Sequence, residues 1–133
     1  MAVGAALLDT SVVIGLARGE VDGGRIGDAP TEVIVSAVTI AGLHHGVLVA
    51  SQDVLAQRLH TLRFVEESCA VLPVDTQVAV HYGRIAADAR RLLGRRIGLG
   101  DGLIAATAVA HGLPLYTRDG DLDGLPGVQA VRI

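Results

Sequence analysis

The sequence predicts an α/β domain, with a mainly parallel sheet of about four to five strands and helices on both faces. Three observations carry this. Short apolar runs alternate with longer segments whose apolar residues recur three and four apart. Gly, Asp and Ser punctuate the junctions between them. The resulting order is strand, helix, strand, helices, strand, helix, helix, strand, strand, as expected for parallel strands joined by helical crossovers. At 133 residues the chain can build one core and not two, so residues 1–133 read as a single domain.

Each element has a local reason. Ala5–Leu8 is an apolar run suited to a buried strand. Asp9, Thr10 and Ser11 follow it, and residues 12–18 read as a helix ended by Gly19. Residues 19–30, rich in Gly and charge, read as loop. Residues 33–35 form the second strand. Ser36 caps a helix from 37 to about 50, its hydroxyl suited to the free N–H groups of the first turn. Ser51 begins another helix, to about 67. Residues 70–74 are the third strand. Asp75 opens the plainest helix. Val78, Tyr82, Ile85, Ala86, Ala89, Leu92 and Leu93 form its apolar face, and Gln77, His81, Arg84, Asp88, Arg91 and Arg95 its solvated one. Gly94 weakens its end. Asp101 opens the next helix, which Gly112 stops. Residues 113–117 and 128–133 are the last two strands.

Composition removes several functions. The net charge is −3, and all eleven basic residues are Arg. Without Lys there is no phosphate-binding P-loop. Receiver domains and haloacid-dehalogenase-like phosphatases, which place Asp after the first strand, also need a Lys. The phosphatases further want a second Asp where Ser11 stands. Phe64, Tyr82 and Tyr116 are the only aromatics, too few for a base-stacking platform. Cys69 is alone, which rules out an internal disulfide. The five His share no metal-ligand spacing. No apolar stretch approaches the roughly 20 residues of a membrane span, and the apolar N-terminus lacks the basic start of a secretory signal. A soluble, cytoplasmic chain is expected.

The carboxyl ends of parallel strands share one edge of the sheet, where ligands bind at a topological switch point. Asp9 directly follows the first strand and Asp119 closely follows the fourth. Neighbouring placement of those strands would bring the two together. Asp101 is assigned to that edge on pattern alone. Clustered carboxylates repel one another, and hard divalent cations relieve the repulsion while retaining a water able to attack a phosphodiester. Each residue also has a plainer reading: Asp9 and Asp101 as helix caps, Asp119, Asp121 and Asp123 as turn formers, and the Arg-rich segment as a solvated face.

Four segments in order resemble the motifs of PIN domains. They are Leu7-Leu8-Asp9-Thr10-Ser11, Ser36-Ala37-Val38-Thr39-Ile40-Ala41-Gly42-Leu43, Asp101-Gly102-Leu103-Ile104-Ala105-Ala106-Thr107-Ala108 and Leu115-Tyr116-Thr117-Arg118-Asp119-Gly120-Asp121-Leu122. The stretch from Tyr82 to Arg91 is similar to the helix before the third motif in VapC toxins. The resemblance implies a three-layer α/β/α sandwich and Mg²⁺- or Mn²⁺-dependent cleavage of RNA, commonly by a homodimer. It implies a VapB-type antitoxin that inhibits the toxin, and contact with operator DNA only through that antitoxin. Asp9, Asp101 and Asp119 would be the catalytic, metal-binding carboxylates, with Asp121 a further ligand. Thr10, Ser11 and Thr117 would support them, and Arg84, Arg91, Arg95 and Arg96 would contact RNA. The departure is Gly42, where the family motif has Glu. Glycine removes a carboxylate and costs about 1 kcal/mol of helix propensity. The expectation is a weakened or inactive ribonuclease; the alternative is a non-catalytic PIN-fold module that dimerises and binds its antitoxin. His44 and His45, two and three residues further on, are expected to point elsewhere.

Overall fold

The strands are β1 (Ala5–Leu8), β2 (Glu32–Ser36), β3 (Ala70–Leu72), β4 (Leu115–Thr117) and β5 (Ala130–Arg132). They form one sheet in the order β3-β2-β1-β4-β5, and every neighbouring pair is parallel. The computed structural model describes residues 4–22 and 32–133, so most of the loop expected over residues 19–30 lies outside the described residues. The chain leaves β1 toward β2 on one side and reaches β4 on the other. The switch point therefore falls between β1 and β4.

Successive side chains of a strand point to opposite faces, and the central strands sort their apolar residues accordingly. Leu7, Ile34 and Leu115 pack with Val78, Ile85, Ala89 and Ile104, under α4 (Thr76–Leu93) and α5 (Leu99–Ala110). Leu8 and Val35 pack with Val12, Val13, Leu43, Leu62 and Val65, under α1 (Thr10–Ala17), α2 (Ala37–Leu48) and α3 (Gln52–Ser68). The result is the expected three-layer α/β/α sandwich. Both faces are covered, which is why these strands read as continuous apolar runs rather than alternating ones.

Side-chain caps fix the starts of α2 and α4. The Ser36 hydroxyl accepts from Val38 N at 3.1 Å, and the Asp75 carboxylate accepts from Val78 N at 3.0 Å. Pro73, which has no N–H for the ladder, directly follows β3 and leaves it shorter than expected. Three expectations need correction. First, α1 begins at Thr10, two residues early, because the Asp9 carbonyl already accepts from Val12 N and Val13 N. Second, α5 begins at Leu99 with Gly98 as its N-cap, so Asp101 lies inside the first turn. Third, the apolar face of α4 does not run to its end. Val78, Ile85 and Ala89 are buried, but Leu92 is 68% exposed, and Gly94 ends the helix with φ +64°.

α4 and α5 approach closely at Gly102. A Cβ there would lie 2.5 Å from Tyr82 Cε1, a distance that only glycine avoids. Among the described residues no helix is long and apolar enough to cross a membrane.

Leu115→Ala, in a fully buried strand position, is expected to cost about 2–5 kcal/mol in urea unfolding. Leu92→Ala is expected to change stability by less than about 0.5 kcal/mol.

Candidate metal centre

Asp9 leaves β1 at the switch point and is 4% exposed. It occupies the N-cap position of α1, yet its side chain makes no cap hydrogen bond. Its Oδ2 instead accepts from Ser11 Oγ at 2.8 Å and from Thr117 Oγ1 at 3.0 Å. The Thr117 hydroxyl also accepts from Asp119 N at 2.9 Å, and Ser11 Oγ accepts from Arg118 N at 3.2 Å. Two hydroxyls thus bind the ends of β1 and β4 into one unit and fix where Asp119 begins. Thr10 shares a 2.9 Å hydrogen bond with Thr39 of α2. Thr39 is buried and was not foreseen as a supporting group; its signal was its place one turn before position 42 in the second motif.

Asp119 caps a single 3-10 turn, Gly120–Leu122, by accepting from Asp121 N at 2.9 Å. That bond folds Asp121 back beside Asp119. Asp101 arrives from the other direction. Residues 111–114 join α5 directly to β4, so the helix runs opposite to the strand and its first turn lies at the strand's carboxyl edge. Oxygens of Asp101, Asp119 and Asp121 lie within 4.8 Å of one another. Asp101 and Asp119 are half-buried and Asp121 is exposed. Asp9 holds the N-cap position without capping through its side chain, Asp101 lies inside the first turn rather than at the cap, and Asp119 does form the turn expected of it.

Burial, and then the charges of Asp9, Asp119 and Asp121, hold the Asp101 carboxyl above its ordinary range. All three neighbours raise it, so the four carboxylates share one local field. The donor set is entirely oxygen, which suits Mg²⁺, Mn²⁺ or Ca²⁺ rather than thiolate- or imidazole-seeking metals. Its spacing is within reach of a single cation. Among the described residues it is the one group of three or more metal-capable side chains, and none of the five His takes part.

Gly42 is exposed on α2, one turn beyond Thr39. A Cβ there would meet no atom within 4 Å. It lines a cleft of about 470 Å³ between α1, α2 and α3, together with Thr10, Ile14, Leu43, His45 and Arg58. The expectation for His45 is corrected: three residues on, it shares Gly42's helix face.

The four Arg assigned to RNA divide. Arg84 and Arg91 both pair with Asp88, at 3.2 and 3.1 Å. Arg95 donates to the Asp123 carbonyl. Arg96 has no hydrogen-bond or ion-pair partner of this kind among the described residues and lines a second cleft.

The PIN-domain profile matches residues 6–128. The ribonuclease VapC5 of Mycobacterium tuberculosis is 39% identical over 134 aligned positions, covering 97% of this chain and 96% of that protein. The ribonuclease VapC4 of the same organism is 37% identical, with both chains covered completely. The crystal structure of VapBC-5, a member of the VapBC toxin–antitoxin family from M. tuberculosis, superposes with a TM-score of 0.80 at 36% identity, covering 98% of this chain and 99% of that one.

Because the folded Asp101 carboxyl is raised, its contribution to stability is fully present below the ordinary carboxylate pKa. It is lost as pH rises through the raised value. In the metal-free protein, Asp101→Asn is therefore expected to raise the melting temperature at pH 7 and to leave it unchanged near pH 3. A lower melting temperature for Asp101→Asn at pH 7 would contradict this account of the pocket.

Proposed function

The chain belongs to the PIN-domain family and, within it, to the VapC ribonucleases; from this we propose that it is the toxin of a VapBC-type pair, a metal-dependent endoribonuclease that hydrolyses RNA phosphodiesters. The observation that carries the chemistry is the set of Asp101, Asp119 and Asp121 oxygens within 4.8 Å, beside Asp9 at the switch point. In this reading Asp101, Asp119 and Asp121, with Asp9, hold Mg²⁺ or Mn²⁺. The bound ion supplies Lewis acidity and an activated water. Ser11 and Thr117 keep Asp9 aimed by their hydrogen bonds to Oδ2, while Thr10 anchors the turn after Asp9 to α2. Thr117 also sets the start of the Asp119 turn. Residues 1–133 act as one such unit in the cytoplasm, as a homodimer.

Its partner is a VapB-type antitoxin, through which alone the pair contacts operator DNA. The 470 Å³ cleft suits that role, because it opens beside Thr10, the residue next to Asp9. A segment seated there would abut the acidic pocket and obstruct it.

Gly42 favours a second reading, that this form binds its antitoxin but cuts poorly or not at all. Position 42 faces the same cleft, with open space for a longer side chain.

The test is cleavage of a mixed RNA pool by this chain and by Gly42→Glu, with Mg²⁺, with Mn²⁺ and with chelator. Gly42→Glu is expected to cut at least about 10–100-fold faster, the loss typical of a disturbed metal site, and to stop on chelation. Equal cleavage by the two would show that the lost carboxylate is dispensable. Failure of both, folded and metal-loaded, would leave the non-catalytic module.

A further inference from the structure

A pocket with four aspartates repels the strand it is meant to cut. The chain as a whole offers no compensation, since its net charge is −3. Phosphate binding must then come from local cations. The Arg cluster between positions 84 and 96 is the obvious source, but Arg84, Arg91 and Arg95 already serve the protein's own carboxylate and carbonyl groups. Arg90 and Arg96 do not. Both are exposed, and neither has a hydrogen-bond or ion-pair partner among the described residues. Their guanidinium donors remain available.

The fold brings these two together. Tyr82, Ala86 and Arg90 follow one another at four-residue intervals, which aligns them on one line of α4. The left-handed turn at Gly94 carries the chain back so that Arg96 and Ile97 close the other side. The cleft between them measures about 230 Å³, and Ala86 leaves room at its centre. It meets the start of α5, the helix that carries Asp101. The Tyr82 ring and Ile97 both pack against Gly102, the residue after Asp101. The first turn of α5 lies between cleft and pocket, and its N-terminal N–H groups add positive partial charge there.

We propose that the cleft formed by Tyr82, Ala86, Arg90, Arg96 and Ile97 is a phosphate subsite that holds the RNA backbone next to the acidic pocket, a proposal resting on the ribonuclease reading above. Two guanidinium forks match phosphate oxygens in a way that a single point charge does not. The strand then crosses the start of α5, with one phosphate on the arginines and another, further along the strand, over the aspartates. The RNA contact expected of Arg84, Arg91 and Arg95 passes to Arg90, with Arg96 retained.

The test is equilibrium binding of a short fluorescent single-stranded RNA at several salt concentrations, with Ca²⁺ in place of Mg²⁺ so that binding is read without turnover. The Arg90→Ala/Arg96→Ala protein is expected to bind roughly tenfold or more weakly, with a salt slope smaller by about 0.7, the share of one phosphate contact on a single strand. Arg90→Lys/Arg96→Lys should keep most of the slope and lose part of the affinity. Arg84→Ala/Arg91→Ala, and Arg63→Ala on α3, should stay within about threefold of the parent. Thermal melts check folding, which both exposed positions should leave intact. An unchanged slope in Arg90→Ala/Arg96→Ala, while the parent binds RNA, overturns the subsite alone. An equal loss in the Arg84→Ala/Arg91→Ala control also overturns it. A parent that binds no RNA overturns the ribonuclease reading and the subsite together.

Discussion

Thr117 Oγ1 donates to Asp9 Oδ2 at 3.0 Å across 108 residues of sequence, and the acidic pocket is assembled around that bond. It requires β1 and β4 to lie side by side and parallel, with Leu8 level with Tyr116. A shift of one residue would turn Thr117 to the other face of the sheet. The buried registers of Leu7, Leu8 and Leu115 prevent that shift, so hydrophobic packing sets the geometry of a polar site. The β1–β4 pairing also positions Asp119, whose backbone N–H donates to the same hydroxyl. Asp121 follows through its own bond to Asp119.

The pocket carries an electrostatic cost. Asp101 sits partly desolvated and faces three like charges, each favouring its protonated form. Such an arrangement works against the folded state until a cation or a proton enters. That cost fits a site kept for binding rather than for stability. Gly42 belongs to the same balance: it removes one potential negative charge from the neighbourhood without filling the space.

Much of this was legible in the sequence. The alternation of apolar runs and amphipathic segments predicted the sheet and its layers, and the placing of Asp9 and Asp119 just after strands put both at one edge, where the Thr117 hydroxyl links them; the group of oxygens within 4.8 Å is nevertheless Asp101, Asp119 and Asp121, without Asp9. Other features depend on tertiary context. Asp101 looked like an N-cap because Asp often is one, yet Gly98 takes that position and frees the carboxylate. Thr39 was one polar residue in an apolar helix until Thr10 met it. In the Arg-rich segment, the sequence could not tell which guanidinium groups Asp88 and the Asp123 carbonyl would occupy. The exposed end of α4 was missed for a related reason: periodicity continues to Leu93, but the underlying layer ends earlier.

The most direct test of the acidic pocket as a metal centre is a crystal structure of the protein grown or soaked in Mn²⁺, read by anomalous scattering. The account predicts a peak within about 2.0–2.6 Å of carboxylate oxygens from Asp101, Asp119 and Asp121, on the side facing Asp9. A saturating soak with no peak there, or with Mn²⁺ bound only elsewhere, would contradict it.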